Sequence, residues 1–97
     1  MRRLLIVVFD LEQAWAINDQ VSLRPEPFGA LAYHFGTRRL SFLKSRKLLA
    51  VVQGLDENAS GRGACAAAGV TDAEMPSYAR ALATLADKGM ITPRGQE

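Results

Sequence analysis

The side chains that most often carry out chemistry are scarce in this chain of 97 residues. There is one histidine, His34, and one cysteine, Cys65, so neither an internal disulfide nor a cysteine-pair metal site can form. No serine–histidine–aspartate or paired-carboxylate arrangement stands out. The segment Gly61-Arg62-Gly63 lacks the Gly-Lys-Ser/Thr ending of a phosphate-binding loop. These features predict a protein without catalytic activity, cofactor or bound metal. We expect His34 to have a structural or surface role and Cys65 to be a small core residue.

Charge and hydropathy narrow the class of protein further. Twelve Lys and Arg residues and ten Asp and Glu residues give a net charge of +2. The basic residues occur in short pairs rather than in the clustered face of a nucleic-acid-binding protein. The apolar run of residues 4–9 is shorter than a signal-peptide core or a membrane span. Because a single cysteine suits a reducing compartment, we expect a cytoplasmic protein that binds neither nucleic acid nor membrane.

Residues 29–44 predict a β-hairpin. Gly36-Thr37 lies between two strand-like runs, with glycine in the first central position of a type II′ turn. Side chains alternate between the two faces of a strand. One face of the hairpin therefore carries Leu31, Tyr33, Phe35, Leu40 and Phe42, and we expect this apolar face to be the core. The opposite face carries Ala30, Ala32, His34, Arg39, Ser41 and Leu43.

Other segments complete the expected layers. Residues 21–24 alternate apolar and polar side chains and predict a third strand that ends at Pro25. Ser45 is a typical N-cap, and Thr71 with Glu74 has the spacing of a capping box. Three helices are predicted, over residues 46–53, about 62–68 and about 72–88. Residues 1–9 predict a short strand or a flexible lead, and residues 10–17 predict a helical turn or two. We expect Trp15 to pack over one end of the sheet. Residues 90–93 predict an extended tail.

The order of these elements predicts an α+β fold of winged-helix type, in which a three-stranded antiparallel sheet is followed by three helices. A sheet of this size cannot bury its own apolar face, so the helices must cover it. We divide the chain into an N-terminal lead (1–19), one domain (20–92) and a tail (93–97).

The run RPEPFGALAYHFGTRRLSFLK, from Arg24 to Lys44, resembles the signature of the peptide chaperones of mycofactocin systems. The similarity extends more loosely from about Ala14 to Met90. These chaperones are members of the peptide-recognition-element superfamily, which also includes the peptide chaperone of pyrroloquinoline quinone biosynthesis.

The resemblance implies a non-catalytic protein that binds the mycofactocin precursor peptide and presents it to a radical S-adenosylmethionine maturase. That enzyme holds the iron–sulfur clusters and oxidatively decarboxylates and cross-links the C-terminal Val-Tyr of the peptide. The resemblance also implies that the peptide adds as a strand to the second arm of the hairpin, beside the last helix. The expected peptide-binding residues are Arg39, Leu40, Ser41, Phe42, Leu43 and Lys44 of the strand and Tyr78, Leu82 and Leu85 of the helix.

Several basic residues lie near this expected groove. They are Arg38, Arg39, Lys44, Arg46 and Lys47. They lead us to expect a precursor segment in which acidic residues flank the apolar anchors.

Two other classes of protein remain as alternatives. A winged-helix DNA-binding regulator has a similar order of elements, but the start of its reading helix here would carry Asp72 and Glu74, which face phosphates poorly. A bare enzyme subunit or dimerisation module is the other alternative, and a homodimer is an option for the chaperone as well. Steeply salt-dependent binding to duplex DNA would favour the regulator, and sedimentation of the purified protein tests the dimer.

Overall fold

The computed structural model describes residues 9–94, and the expectations for residues 1–8 and 95–97 lie outside these. The strands are β1 (Trp15–Ile17), β2 (Val21–Glu26), β3 (Gly29–His34), β4 (Leu40–Leu43) and β5 (Ile91–Pro93). The helices are α1 (Arg46–Gln53), α2 (Gly61–Ala67) and α3 (Met75–Asp87), with a short 3₁₀ turn at Leu55–Glu57.

Strands β2, β3 and β4 form an antiparallel sheet in that order. Tyr33 pairs with Leu40, and Leu31 pairs with Phe42, as the predicted register requires. Strand β2 continues past Pro25 to Glu26, because an edge strand tolerates proline where its missing N–H does not interrupt the ladder. The predicted α+β class, with a three-stranded antiparallel sheet and three helices, is confirmed.

The segment before β2 was wrongly predicted to be helical. Residues 15–17 form strand β1, which pairs antiparallel with β5 at the other end of the described chain. Trp15 is fully buried in this strand, and its indole N–H donates to the carbonyl of Asp10 over 2.8 Å. Propensity within a short segment cannot reveal a partner strand that is more than seventy residues away in the sequence.

The hairpin loop differs from the expected two-residue type II′ turn. The backbone N–H of His34 donates to the carbonyl of Arg39, so four residues, 35–38, form the loop. Arg38, rather than Gly36, has a positive φ, of 66°. The register is unchanged because both loops are centred between Gly36 and Thr37. Gly36 lies close to the side chains of Gln20 and His34, so a Cβ atom at this position would require them to shift.

The two faces of the hairpin are the reverse of the prediction. The inner face, which packs against the helices, carries Ala30, Ala32, His34, Ser41 and Leu43, all buried. The outer face carries Leu31, Tyr33, Phe35, Leu40 and Phe42, of which Phe35 is 60% and Phe42 56% exposed. The large apolar face is therefore not the core.

Helix side chains explain why the small face is buried. The buried apolar residues between the inner face and the helices are Trp15, Ala30, Ala32, Leu43, Leu48, Val51, Val52, Leu55, Ala64, Cys65, Val70, Met75, Leu82, Leu85, Ala86, Met90 and Ile91. Most of this volume comes from the helices and from Trp15. Because protein interiors are close-packed, little room is left at the sheet positions beneath them, and three of these positions hold alanine or serine.

The helix ends follow the predicted caps. The side chain of Ser45 accepts a hydrogen bond from the N–H of Leu48 over 3.0 Å. The N–H of Thr71 donates to Glu74 Oε1, and the N–H of Glu74 donates to Thr71 Oγ1, which together form the capping box before α3. Gly89 follows α3 with a φ of +76°, which favours glycine and ends the helix.

Candidate functional site

An open cleft lies between the edge of the sheet and helix α3, with a volume of about 430 Å³. Its lining residues are Leu40, Ser41, Phe42, Lys44, Leu48, Ala81, Thr84, Leu85 and Lys88. A smaller hollow of about 230 Å³ adjoins it along Lys44, Leu48 and Ala81 and reaches Ser77 and Tyr78. The two form one groove that follows β4.

The backbone of β4 has an unpaired side that faces this groove. The N–H of His34 donates to the carbonyl of Arg39 over 2.9 Å, so the backbone of Arg39 points toward β3. Every second residue of an antiparallel strand bonds to the same neighbour, so the backbone of Ser41 also points toward β3. The N–H and C=O groups of Leu40 and Phe42 consequently point away from β3. Within residues 9–94 no strand pairs with this side of β4.

Helix α3 forms the opposite wall and runs antiparallel to β4. At one end of the groove, the hydroxyl oxygen of Ser45, just after β4, lies 3.4 Å from that of Tyr78, near the start of the helix. At the other end, Leu85 and Lys88 line the cleft together with Leu40. The wall between the ends is apolar where Ala81 and Leu48 face it, so the groove can bury aliphatic side chains.

The structure brings together most of the predicted site residues. Leu40, Ser41, Phe42, Lys44 and Leu85 line the cleft, and Tyr78 lines its narrower end. Three predicted residues, Arg39, Leu43 and Leu82, do not line it, and Leu43 and Leu82 are fully buried in the core. Their roles in binding stay predictions.

Sequence reasoning missed four residues of the cleft. They are Leu48, Ala81, Thr84 and Lys88. The three on α3 recur at intervals of three and four positions from Tyr78, which is the helical spacing of one face. That spacing can be read from the sequence. The position of Leu48 in the cleft cannot, because it depends on how α1 packs beside α3.

The charged groups that line the cleft are both lysines. Lys44 and Lys88 form no ion pair within residues 9–94. Lys47, outside the cleft, contacts Glu74 at 3.0 Å. The hydrogen bond from the backbone of Thr71, together with that from Lys47, lowers the pKa of the Glu74 carboxyl. Among the described residues, the charged groups that line the cleft are therefore positive and unpaired.

Ser41 is the polar side chain of the inner face that lines the cleft. The residue is 5% exposed, and its Oγ has no hydrogen-bond partner among residues 9–94. A buried hydroxyl in this state costs about 1–3 kcal/mol of stability. An apolar residue of similar size at this position would avoid that cost, so packing alone does not account for the hydroxyl.

The isolated histidine and cysteine both have structural positions, as expected. His34 Nδ1 accepts hydrogen bonds from the backbone N–H groups of Gly36 and Thr37 at 3.0 and 3.1 Å. Cys65 is fully buried, and desolvation raises the pKa of its thiol. Over residues 9–94, no cluster of His, Cys, Asp and Glu could hold a metal ion. None of the helices in this range combines the length and apolar character that crossing a bilayer requires.

Residues 14–92 match the family described as the Peptide chaperone MftB family. The chain belongs to this family. The resemblance found in the run from Arg24 to Lys44 is thereby confirmed.

Three relatives show how far the similarity to this family extends. Proteins of Mycobacterium ulcerans and Mycobacterium tuberculosis are each 54% identical over 86 residues, which cover 89% of this chain and 79% of the relative. A protein of Mycolicibacterium smegmatis is 46% identical over 91 residues, 94% of this chain and 89% of the relative. Each is described as a peptide chaperone MftB. No solved structure matches the chain.

Proposed function

We propose that this protein is a non-catalytic chaperone that binds the mycofactocin precursor peptide as an added strand on β4 and presents it to a radical S-adenosylmethionine maturase. The observation that carries the proposal is the unpaired backbone of Leu40 and Phe42 beside an apolar cleft. An extended peptide is the ligand that such an edge fits, because its own backbone supplies complementary donors and acceptors. Membership of a peptide-chaperone family supports the same class of ligand.

Backbone pairing alone does not account for stable binding. The outward groups of Leu40 and Phe42 offer about four hydrogen bonds, each with a net contribution of about 1 kcal/mol. Fixing the peptide backbone costs about 1–2 kcal/mol per residue, which offsets that gain. Burial of apolar peptide side chains against Leu48, Ala81 and Leu85 adds about 1.5–3 kcal/mol for each side chain that is fully buried. The affinity therefore depends on the apolar side chains of the peptide, and the unpaired edge of β4 determines the direction and register of the bound peptide.

Titration calorimetry of the protein with its precursor peptide tests binding, and a pair of edge variants tests the mode. Phe42→Pro removes an N–H that faces the groove but leaves the bonds between β3 and β4 intact. We expect it to bind about tenfold more weakly than Phe42→Ala, which removes the same side chain but keeps the N–H. Equal affinities of the two variants would contradict strand addition, and no binding heat for the unchanged protein would contradict the chaperone function.

A second pair of variants tests the cleft. Thr84→Trp places a large side chain in the groove, whereas Arg80→Trp places it on the exposed surface one turn earlier on α3. Thr84→Trp should abolish detectable precursor binding, and Arg80→Trp should bind normally. Equal binding by both variants would exclude the groove as the peptide site.

Presentation to the maturase has its own readout. Mass spectrometry of the precursor after incubation with the maturase and its substrates should show efficient modification of the C-terminal Val-Tyr when the chaperone is present. Thr84→Trp should fail to support it, and Arg80→Trp should support it. The chaperone without the maturase should leave the peptide unchanged. Equal modification with and without the chaperone would contradict the presenting role.

A further inference from the structure

Ser41 lines the cleft, and packing does not explain its buried hydroxyl. It lies on the inner face of the edge strand, in a residue 5% exposed, and has no partner among residues 9–94. Ser41 lines the same wall as Leu40 and Phe42. A buried donor without a partner weakens the free protein, and a ligand that accepts its hydrogen bond recovers that loss on binding.

The ladder of β4 places one peptide residue beside this hydroxyl. Because Leu40 and Phe42 point their backbone groups into the groove, an added strand bonds to these two residues and Ser41 lies between them. The peptide residue directly opposite Ser41 then projects its side chain to the inner side, with a Cβ–Cβ distance of roughly 4.5–5.5 Å. That side chain enters the cleft between Ser41 and α3.

The electrostatics of the cleft select the chemistry of that side chain. Among residues 9–94, Lys44 and Lys88 line the cleft without an ion pair, and no carboxylate of this range lines it. Thr84 donates its hydroxyl hydrogen to the carbonyl of Arg80 over 3.1 Å, which leaves Ser41 as the free hydroxyl donor of the lining. A carboxylate is the group that accepts from a hydroxyl and also pairs with an ammonium.

We infer that Ser41 is a specificity-determining residue of this cleft, and that its hydroxyl donates to an aspartate or glutamate side chain of the bound peptide, with Lys88 as the charge partner. This inference rests on the proposed strand addition. It makes Ser41 a selector of one acidic position within an otherwise apolar peptide segment.

A double-mutant cycle by calorimetry tests the inference. The protein and its Ser41→Ala variant are each titrated with the mycofactocin precursor peptide and with precursors in which one Asp or Glu at a time is replaced by Ala. Ser41→Ala should bind the unchanged precursor about tenfold more weakly. One acidic replacement should weaken binding to the unchanged protein by a similar factor and should cause little further loss in Ser41→Ala.

Three further variants sharpen the test. Ser41→Thr keeps the hydroxyl and should keep the coupling to the same acidic residue. Lys88→Gln should weaken binding of the unchanged precursor and reduce its dependence on salt. Ser22→Ala is the matched control, because Ser22 lies on β2 at the opposite edge of the sheet and does not line the groove. Ser22→Ala should bind every precursor as the unchanged protein does.

Thermal unfolding separates a binding role from a structural one. Ser41→Ala removes a hydroxyl that forms no hydrogen bond within residues 9–94, so its unfolding midpoint should be equal to or above that of the unchanged protein. A clearly lower midpoint would assign the hydroxyl to the fold and overturn the inference. Unchanged affinity of Ser41→Ala for all precursors would overturn it while the proposed function stands, whereas a precursor that does not bind the unchanged protein would overturn both.

Discussion

The inner and outer faces of the β2–β3–β4 sheet differ in burial, and most side chains of the buried inner face are small. Ala32 and Leu43 of the inner face are at most 1% exposed, whereas Leu40 of the outer face is 50% exposed. Both faces are largely apolar, so hydrophobicity alone does not choose between them. The helices do, because their leucines and valines fill most of the core and leave limited room for the sheet residues.

The outer face has contacts of its own. The rings of Phe28 and Phe42 stack with their centres 6.1 Å apart, and Tyr33 meets Phe35 edge to face at 5.2 Å. Such pairs contribute about 0.5–1.5 kcal/mol each beyond the burial of their surface. The outer aromatics therefore support the sheet from one side, but they leave much of their surface in water.

The largest expected difference between the faces is between two leucines of one strand. Leu43→Ala should lower the free energy of unfolding by about 2–5 kcal/mol, because it opens a cavity in the core. Leu40→Ala removes the same atoms from a half-exposed site and should cost less than about 1 kcal/mol. Urea unfolding of both variants measures the difference. Similar losses would show that the two faces are not energetically distinct.

Larger side chains test the same difference between the inner and outer faces. Ala32→Leu adds volume beneath the helices and should cost about 1–3 kcal/mol through overpacking. Ser22→Leu adds a leucine to the exposed outer side of β2, where Ser22 pairs with Tyr33, and should change stability by less than about 0.5 kcal/mol. A tolerated Ala32→Leu would mean that the helices do not limit the volume of the inner face.

The loop that joins β3 to β4 depends on the inner-face histidine. His34→Ala removes the acceptor of two backbone N–H groups and should cost about 2 kcal/mol, at about 1 kcal/mol for each hydrogen bond. His34→Asn keeps an acceptor near the same place and should recover part of the loss. Urea unfolding measures both, and amide exchange at Gly36 and Thr37 should speed up in His34→Ala. Unchanged exchange there would contradict this role.

The smallest effect is expected in the capping box before α3, away from both faces. The pKa of Glu74 is lowered in the folded protein, so its carboxylate stabilises the fold at neutral pH. That contribution should be lost as the pH falls through the lowered pKa, because protonation removes the charged acceptor of the Thr71 N–H and of Lys47. Thermal unfolding from neutral to acid pH should therefore show a weaker decline for Glu74→Gln. Parallel curves for the two proteins would remove Glu74 as a source of acid sensitivity.

Local patterns predicted several elements correctly. Ser45 caps α1, and Thr71 with Glu74 forms the capping box, because a cap depends on side chains within three positions of the helix start. The pairing of Tyr33 with Leu40 was also correct, since any loop centred between Gly36 and Thr37 preserves it.

Most of the errors depend on parts of the chain that are distant in sequence, whereas the loop error also involves a side chain two and three positions away. Trp15 lies in a strand rather than a helical turn, because residues 91–93 provide its partner. The loop after His34 has four residues, because the imidazole accepts from the loop backbone and Gln20 approaches Gly36. The cleft also includes Leu48 of α1, which no spacing within α3 could indicate.

The sequence by itself determined the alternation of the hairpin, the positions of the helix caps and the family of the chain, because each of these depends on nearby residues or on direct similarity. Only the tertiary structure decided which face of the sheet is buried and where the cleft lies. Period-two alternation separates two faces without orienting them. Their orientation depends on the volume that the packed helices occupy, and that volume exists only once the chain has folded.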